Sequence, residues 1–518
     1  MKKDFFEKYR PKIKTVEELM EIIGPFPRNL KVIMCHGVFD VVHPGHVRHL
    51  AYAKSKADIL VASITTDKHI DKGIYRPHVP EQLRALNLAA FEMVDYVIID
   101  EEAKPLKNLQ RIQPDYFAKG FEYTSDGLPP GTQEEMDVIN GYGGELIFTP
   151  GDVVFSSSKF IQLAPPKIKL EKLLSLMNTE GISFDDLRLA ANAMKGCRVH
   201  VVGDTIIDSY TRTTLIGGQT KTPTFSVSYQ GRDDYIGGAG IVSQHLRAAG
   251  AEVIFSTVLG NDNFKDFVVD GLTAAGIKCH PLIDSSRPTT NKNVIIADGY
   301  RLLKIDTLDN HMISDHILEN LVESIKTTRA DAVVFSDFRH GILNRITIPE
   351  LVDAIPPGTY KVADSQVATR WGNIIEFQKF DLITPNEKEA RFALADQDST
   401  VGKLAGMLME RTQCGVLILK LGERGIFTNI SKPSKCVSSY FSLDSFANNV
   451  VDTVGSGDAL LAYATLSMLS NGSEVIASIL GSMAAACECE LDGNIPIKLS
   501  DVMSKIDIAE KLAEYNGD

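Results

Sequence analysis

Short apolar runs alternate with amphipathic stretches along this chain, and the alternation breaks once. From Lys31 the apolar runs are Val32 to Met34, Ile59 to Ile64 and Tyr96 to Ile99, separated by the helix-length stretches Val47 to Ala57 and Leu83 to Met93. Strands spaced by helices read as βαβ units around a parallel sheet. The pattern fades after Ile161, where Pro165, Pro166 and several lysines lead into a helix expected at Leu170 to Met177, which reads as a connector. A second α/β series opens at Val199 to Val202. Within it, Asn293 to Ile305 forms two β runs joined by Asp298-Gly299, a dipeptide suited to a type I′ hairpin, and Thr224 to Tyr229 alternates apolar and polar, so a small β lid is expected. A length of 518 residues asks for two to four domains. The expected layout is α/β: a helical lead over 1–29, one α/β domain over 30–161, a linker over 162–195, and a second α/β domain with its lid over 196–518.

Composition then narrows the function. The formal charge of -13 argues against nonspecific binding to nucleic acid or an anionic membrane, and no Lys/Arg run supplies a basic patch. An anionic substrate must be held by a few placed cations and backbone N–H groups. The seven cysteines are scattered and mostly in apolar segments, which fits a reducing cytoplasm. Cys487 and Cys489 form a C-x-C pair, but no second Cys/His pair follows at zinc spacing. Met1 to Pro11 is charged and has no apolar signal region, and Ala459 to Leu469 is too short to span a bilayer.

The first chemical motif is His36-Gly37-Val38-Phe39-Asp40-Val41-Val42-His43-Pro44-Gly45-His46. It follows a strand and opens a helix, so its N–H groups and the positive helix end favour an anion such as a phosphate. His43 and His46, flanking Pro-Gly, can place two imidazoles on one anion and donate to charge growing on an α-phosphate. On spacing alone they are equally ordinary surface or core histidines. Gly-x-Phe-Asp followed by His-x-Gly-His resembles the cytidylyltransferase-like nucleotidyltransferase superfamily. Asp67, Lys72-Gly73, Arg76-Pro77, Arg84, Val94 to Val97, Pro114-Asp115 and Lys119 to Tyr123 continue it in the order of heptose 1-phosphate adenylyltransferase domains. The resemblance implies a Rossmann-like domain over residues 30–161. In it His43 and His46 stabilise the α-phosphorus, Lys119 neutralises phosphate charge, and Gly37, Phe39, Asp40, Gly45, Arg84 and Ser156, Ser157 and Ser158 hold the nucleotide. His36 and Ser157-Ser158 depart from the family's usual small polar residue and threonine pair.

The second motif is Asp452-Thr453-Val454-Gly455-Ser456-Gly457-Asp458 before an apolar helix. Its successive N–H groups form an anion-binding nest, and Asp458 at the mouth can take the proton of a hydroxyl attacking a γ-phosphate. A plain capped helix start reads the same tetrapeptide. The whole string resembles the second signature of the ribokinase-like (PfkB) carbohydrate kinases. Gly203-Asp204 with Asp208, Gly237-Gly238-Ala239-Gly240, Ser336-Asp337, Thr384 to Glu389 and Leu421 to Gly425 match in family order over residues 196–500. The resemblance implies that Asp458 is the base and that Gly455, Ser456, Gly457, Lys420, Gly422 and Gly425 bind ATP. It gives Asp204, Asp208, Gly237, Gly238, Arg301 and Lys304 to the sugar phosphate, and Asn386 and Glu389 to Mg2+. Asn386-x-x-Glu389 is also what an N-capped helix with a first-turn acid looks like. Ile241 stands where relatives carry a substrate-contacting Asn.

Both halves together resemble the bifunctional heptose enzymes of lipopolysaccharide precursor synthesis, in which the kinase comes first; here the order is reversed. That resemblance implies phosphorylation of heptose 7-phosphate at C1, then coupling of a sugar 1-phosphate to ATP or another NTP with loss of pyrophosphate. Lid strands of such kinases often pair between subunits, so a homodimer is expected. A glycerol phosphate-type cytidylyltransferase beside another sugar kinase, or one catalytically silent nucleotide-sensing domain, are the alternatives.

Overall fold

A computed structural model describes residues 5–70, 77–120, 130–149, 169–217, 225–366, 374–432, 439–447 and 450–515. Contacts divide the chain into two compact units, Met1–Ile168 with Asp398–Lys403, and Lys169–Gln397 with Leu404–Asp518.

The first unit opens on helix α1 (Val16–Ile23), started by a capping box. The Thr15 hydroxyl accepts from the Glu18 N–H at 3.2 Å while the Glu18 carboxylate accepts from the Thr15 N–H at 2.9 Å. Val16, Leu19 and Ile23 recur on one face and bury against Val32, Met34 and Ile112, so the lead is part of the domain core. There follow β1 (Val32–Gly37), α2 (Pro44–Lys54), β2 (Ile59–Thr65), α3 (Glu81–Ala89), β3 (Tyr96–Asp100), α4 (Leu106–Ile112), β4 (Tyr116–Gly120), α5 (Pro130–Tyr142) and β5 (Glu145–Thr149). The described strands form a parallel sheet in the order β3-β2-β1-β4-β5. Strand order reverses between β1 and β4, and the C-terminal strand ends at such a switch point are where α/β sheets bind ligands.

The second unit begins with α6 (Lys169–Glu180) and α7 (Phe184–Ala193). These lie in the segment expected to be a connector, yet Leu173, Met177, Leu187 and Ala191 share one apolar core with Val199, Val201 and Leu246. Charged flanks such as Lys172 and Asp185-Asp186 mask that narrow apolar stripe in the sequence.

The main sheet runs β10-β9-β6-β13-β14-β15-β16-β17-β18 among the described residues. Its strands are β6 (Arg198–Gly203), β9 (Glu252–Leu259), β10 (Lys278–Ile283), β13 (Ala332–Asp337), β14 (Tyr360–Ser365), β15 (Leu382–Ile383), β16 (Val416–Lys420), β17 (Ile426–Ile430) and β18 (Tyr440–Leu443). Pairing is parallel up to β16 and antiparallel from β16 through β18. The expected lid is a second sheet, β12-β11-β7-β8, built from β7 (Thr205–Gly217), β8 (Ser226–Gly238), β11 (Asn291–Ala297) and β12 (Tyr300–Thr307). Asp298 (φ 50°) and Gly299 (φ 86°) both lie at positive φ, as a type I′ turn requires.

Between the strands come α8 (Ala239–Ala248), α9 (Asn263–Ala274), α10 (Asp315–Thr327), α11 (Thr347–Asp353), α12 (Glu387–Leu394) and α13 (Val401–Thr412). The unit ends on α14 (Ser456–Asn471), α15 (Glu474–Cys489) and α16 (Leu499–Tyr515). α14 is apolar on all sides and buried from Asp458 to Ser467, so it packs as a central helix of the unit. No described helix is long and apolar enough to cross a membrane.

Candidate functional sites

In the first unit, β1 delivers His36 and Gly37 to the switch point, and α2 opens there with His43 as its N-cap. The His43 Nδ1 accepts from the Gly45 N–H at 3.1 Å, which places the ring proton on Nε2. His46 Nδ1 takes the His43 N–H at 3.4 Å, and the two rings lie 4.0 Å apart. A Cβ on Gly45 would sit 2.8 Å from the His43 ring, so glycine here makes room for the imidazole itself. Burial first, then His43 and His49, push His46 down to about 4; burial alone does the same to His49. Neutral imidazoles keep an N–H to offer without bringing a competing charge.

His49, one turn beyond His46, bonds Thr149 at the end of β5 at 2.6 Å and was not singled out from the sequence. His36 is held by Ser63 at 2.9 Å and Thr65 at 3.2 Å, and burial, then Lys119, push it down to about 3. Lys119 closes β4 beside the histidines. It is partly buried, ion-paired with Glu135 and bonded to Thr132 at 3.2 Å, so it is a fixed cation and not a solvated loop lysine.

Three residues expected to hold the nucleotide make the scaffold of this turn. Arg84 is fully buried and spends its guanidinium on Val79 (2.9 Å), Thr65 (2.7 Å), Asp67 (2.5 Å) and the Val38 carbonyl. Asp40, also buried, accepts from the His78 and Val79 N–H groups at 2.8 and 2.9 Å. Phe39 adopts φ 48°, a conformation costing roughly 1–2 kcal/mol outside glycine. Burying its ring, worth roughly 1.5–3 kcal/mol, offsets that and sets it 5.1 Å from His46. Ser156, Ser157 and Ser158, with Lys72-Gly73, Arg76 and Phe121 to Tyr123, lie outside the described residues.

The second unit holds a cavity of about 770 Å³ where lid, nest and main sheet meet. Gly455, at φ 85°, caps α14, and Ser456 and Gly457 present first-turn N–H groups to the cavity. Asp458 lines it too. Its carboxyl is 5% exposed, its Oδ1 has no hydrogen-bond partner among the described residues, and burial, then Asp364, push its pKa well above the usual carboxylate range. Lys420, closing β16, pairs with Asp364 at 2.9 Å; burial pulls its pKa down, but Asp364 and Glu389 outweigh that and hold it raised. Gly422 and Gly425 line the same wall.

The lid supplies Asp208, Lys292, Arg301 and Lys304. Asp208 and Lys292 are register partners on β7 and β11. Burial raises Asp208 despite Lys292, and burial lowers Lys292 despite Asp208. Arg301 pairs with Asp452 at 2.8 Å, and Lys304 lies 3.5 Å from Asp306; both remain about half exposed.

Asp204 departs from expectation. It is buried outside the cavity lining and accepts from the Phe338 and His340 N–H groups at 2.9 and 3.2 Å, tying the ends of β6 and β13 together. Gly238 lines the cavity but Gly237 does not; a Cβ on Gly237 would collide with Asp208 at 2.0 Å. Ile241 is fully buried in α8 and likewise outside the lining.

Asn386 and Glu389 also line the cavity and form a closed capping box. Asn386 N–H and Nδ2 donate to Glu389 at 2.6 and 2.5 Å, and Asn386 Oδ1 accepts from the Glu389 N–H at 2.9 Å. Among the described residues no group of three or more His, Cys, Asp or Glu is placed to hold a metal ion. Asn386 Oδ1 and the Glu389 carboxylate are hard oxygens, the donor type that Mg2+ takes directly or through its waters.

A model for the pfkB family carbohydrate kinases matches residues 198–498. The chain belongs to that family. A Cytidylyltransferase-like model matches residues 34–162, so in this pfkB family member that segment precedes the kinase segment. Among similar proteins is the Bifunctional protein HldE of Desulfatibacillum aliphaticivorans, 27% identical over 340 residues, covering 64% of this chain and 66% of that one. The protein of the same name from Geobacter metallireducens is 37% identical over 138 residues, 26% of this chain and 27% of that one. The chain spans just under two thirds of the first of these. The tetrameric inhibited form of phosphofructokinase-2 from Escherichia coli superposes with a TM-score of 0.51 at 15% identity, covering 61% of this chain and 99% of that one, which shows a shared fold.

Proposed function

We propose that the chain is a bifunctional enzyme of sugar-nucleotide synthesis, carrying an ATP-dependent sugar kinase and a sugar 1-phosphate nucleotidyltransferase. The observation that carries the kinase half is Asp458: a buried carboxyl with one oxygen that no described donor satisfies, beside a helix-start nest, in a cavity that also holds Lys420 and Asp208. A sugar hydroxyl oxygen bonds to the γ-phosphorus of ATP, the bond to the bridging oxygen breaks, ADP leaves, and the hydroxyl proton passes to Asp458. The Ser456 and Gly457 N–H groups and Lys420 receive the charge of the transferred group. Mg2+, its waters held by Asn386 and Glu389, would neutralise phosphate charge when bound.

In the first unit the sugar phosphate oxygen attacks the α-phosphorus of an NTP and pyrophosphate leaves. His43, His46 and the α2 N-terminus donate to the oxygens there, with Lys119 as the fixed cation. Lys292, Arg301 and Lys304 around the acceptor end of the kinase cavity favour a phosphorylated sugar. Relatives named Bifunctional protein HldE, with the pairing of the two domains, favour heptose 7-phosphate as that acceptor, phosphorylated at C1. Exposed Tyr300, Leu303 and Ile305 on lid edge strand β12 favour a homodimer, and the free thiols suit a reducing compartment. Mass spectrometry of products after incubation with ATP, CTP or GTP and heptose phosphates tests the reading. A heptose bisphosphate and a nucleotide-heptose are expected; neither appearing with any pair would end it.

A further inference from the structure

We propose that Asn494 is a positioning and specificity residue of the phosphotransfer site: its amide nitrogen fixes Asp208, and its amide oxygen accepts from a hydroxyl of the acceptor sugar. The inference rests on the kinase reading above. Asn494 follows α15 in a short turn, is 5% exposed and lines the cavity. Its Nδ2 donates to Asp208 Oδ2 at 2.7 Å. A carboxylate only accepts, so the nitrogen must face Asp208 and the oxygen must face the other way. That oxygen has no hydrogen-bond partner among the described residues and is sealed from solvent in this structure, so a hydroxyl reaches it only as the sugar seats. A buried amide oxygen without a donor is destabilising, and a ligand hydroxyl in the cavity would satisfy it.

Two glycines far apart in sequence make room for the cluster of Asp208, Asn494 and Glu488. A Cβ on Gly237, at the lid's return to the body, would lie 3.0 Å from Asn494 Nδ2, and a Cβ on Gly455, capping the nest helix, would lie 2.8 Å from Asn494 Oδ1. The amide therefore bridges the lid strand that carries Asp208 and the loop that leads to Asp458. Glu488, buried in α15, holds the turn by accepting from the Ile495 N–H at 3.3 Å, so the amide is not free to swing away. An oxygen fixed at that junction selects for a hydroxyl at one position of the sugar, because an analogue lacking it leaves the acceptor unpaired.

The test compares full-length wild type, Asn494→Ala and Asn494→Ser, varying heptose 7-phosphate and ATP separately and following melting by circular dichroism. The expected result is a rise in the sugar KM of roughly tenfold or more in Asn494→Ala, with the ATP KM within about twofold and partial recovery in Asn494→Ser. An unchanged sugar KM in an active enzyme overturns the proposal, and so does a parallel rise in both KM values, which marks a structural role. Should Asn494→Ala fail to fold, Asn494→Ser is read by the same criteria. Calorimetry of wild type with heptose 7-phosphate and a nonhydrolysable ATP analogue separates the two levels: no binding overturns the kinase reading and this inference with it.

Discussion

Asp458 carries its charge at a place where the fold opposes it. Burial, then Asp364, raise its pKa, so the folded state holds this proton to higher pH than the unfolded chain does. For a carboxyl raised in this way, stability is fully present below the unfolded value near 4 and declines as pH climbs toward the folded value. Asp458→Asn removes that cost. The variant should lose phosphotransfer by ~10²–10⁴-fold, keep pyrophosphate exchange, and melt about 2 °C or more above wild type at pH 7; retained sugar phosphorylation would show that the base is another residue. The histidines of the first unit have the opposite sign. His46→Ala should cost ~10²-fold or more in pyrophosphate exchange while sparing the kinase. Because His36, His46 and His49 are held down to about 3, 4 and 4, the stability they contribute is present above pH 6.5 and is lost as pH falls toward 4. Acid titration of unfolding should place that loss there, and a rate inflection near pH 6.5 assigned to His46 would contradict it. The residues that the sequence singled out as chemical stand inside a dense string, as His43, His46 and Asp458 do. Asp364, Glu488 and Asn494 were not singled out, because none belongs to a motif string and each becomes chemical only when β14, the end of α15 and the lid converge. A lone Glu in the apolar run Ala484 to Cys489 was the available signal. Arg84 and Asp204 mislead the other way, since a charge in motif order reads as ligand-facing until its backbone partners are seen.

At the scale of elements, the period of the apolar pattern carried most of the fold. The first-unit strands and helices lie close to where alternation put them, and the hairpin turn falls on Asp298-Gly299. What the pattern concealed is instructive: α6 and α7 look like linker because charge flanks a two-residue-wide apolar stripe, and β7 is hidden because a lid strand with one face toward a polar cavity shows no clean alternation. The hairpin also decides binding geometry, since β12 pairs with β11 and thereby sets where Arg301 and Lys304 stand against Asp208 and Lys292. A β-branched residue at φ 86° is strained by at least about 1 kcal/mol. Gly299→Val should therefore fray the turn, raising the KM for the sugar phosphate several-fold while the ATP KM stays put, because Gly455 to Asp458 belong to a different element. Steady-state kinetics with each substrate varied in turn would show it; an equal effect on ATP would mean that the lid and the nest move as one.

For the whole molecule, the chemistry proposed for the two units does not run on directly from one to the other. On the proposed reading, a heptose 1,7-bisphosphate made by the kinase loses its 7-phosphate by hydrolysis on a separate phosphatase before its 1-phosphate is coupled to a nucleotide, so the intermediate is released. Physical linkage then confers no rate advantage on the intermediate, whatever it does for expression of both activities together. Mixed full-length chains, one carrying Asp458→Asn and the other His46→Ala, should with the phosphatase present form nucleotide-heptose as fast as wild type at equal concentrations of each working site. The comparison is made by product formation over time at low substrate, where capture would matter most. A wild-type rate several-fold above that of the mixture would show that the bisphosphate or its product is retained, and the fusion would then have a kinetic purpose that the two separate sites do not by themselves explain.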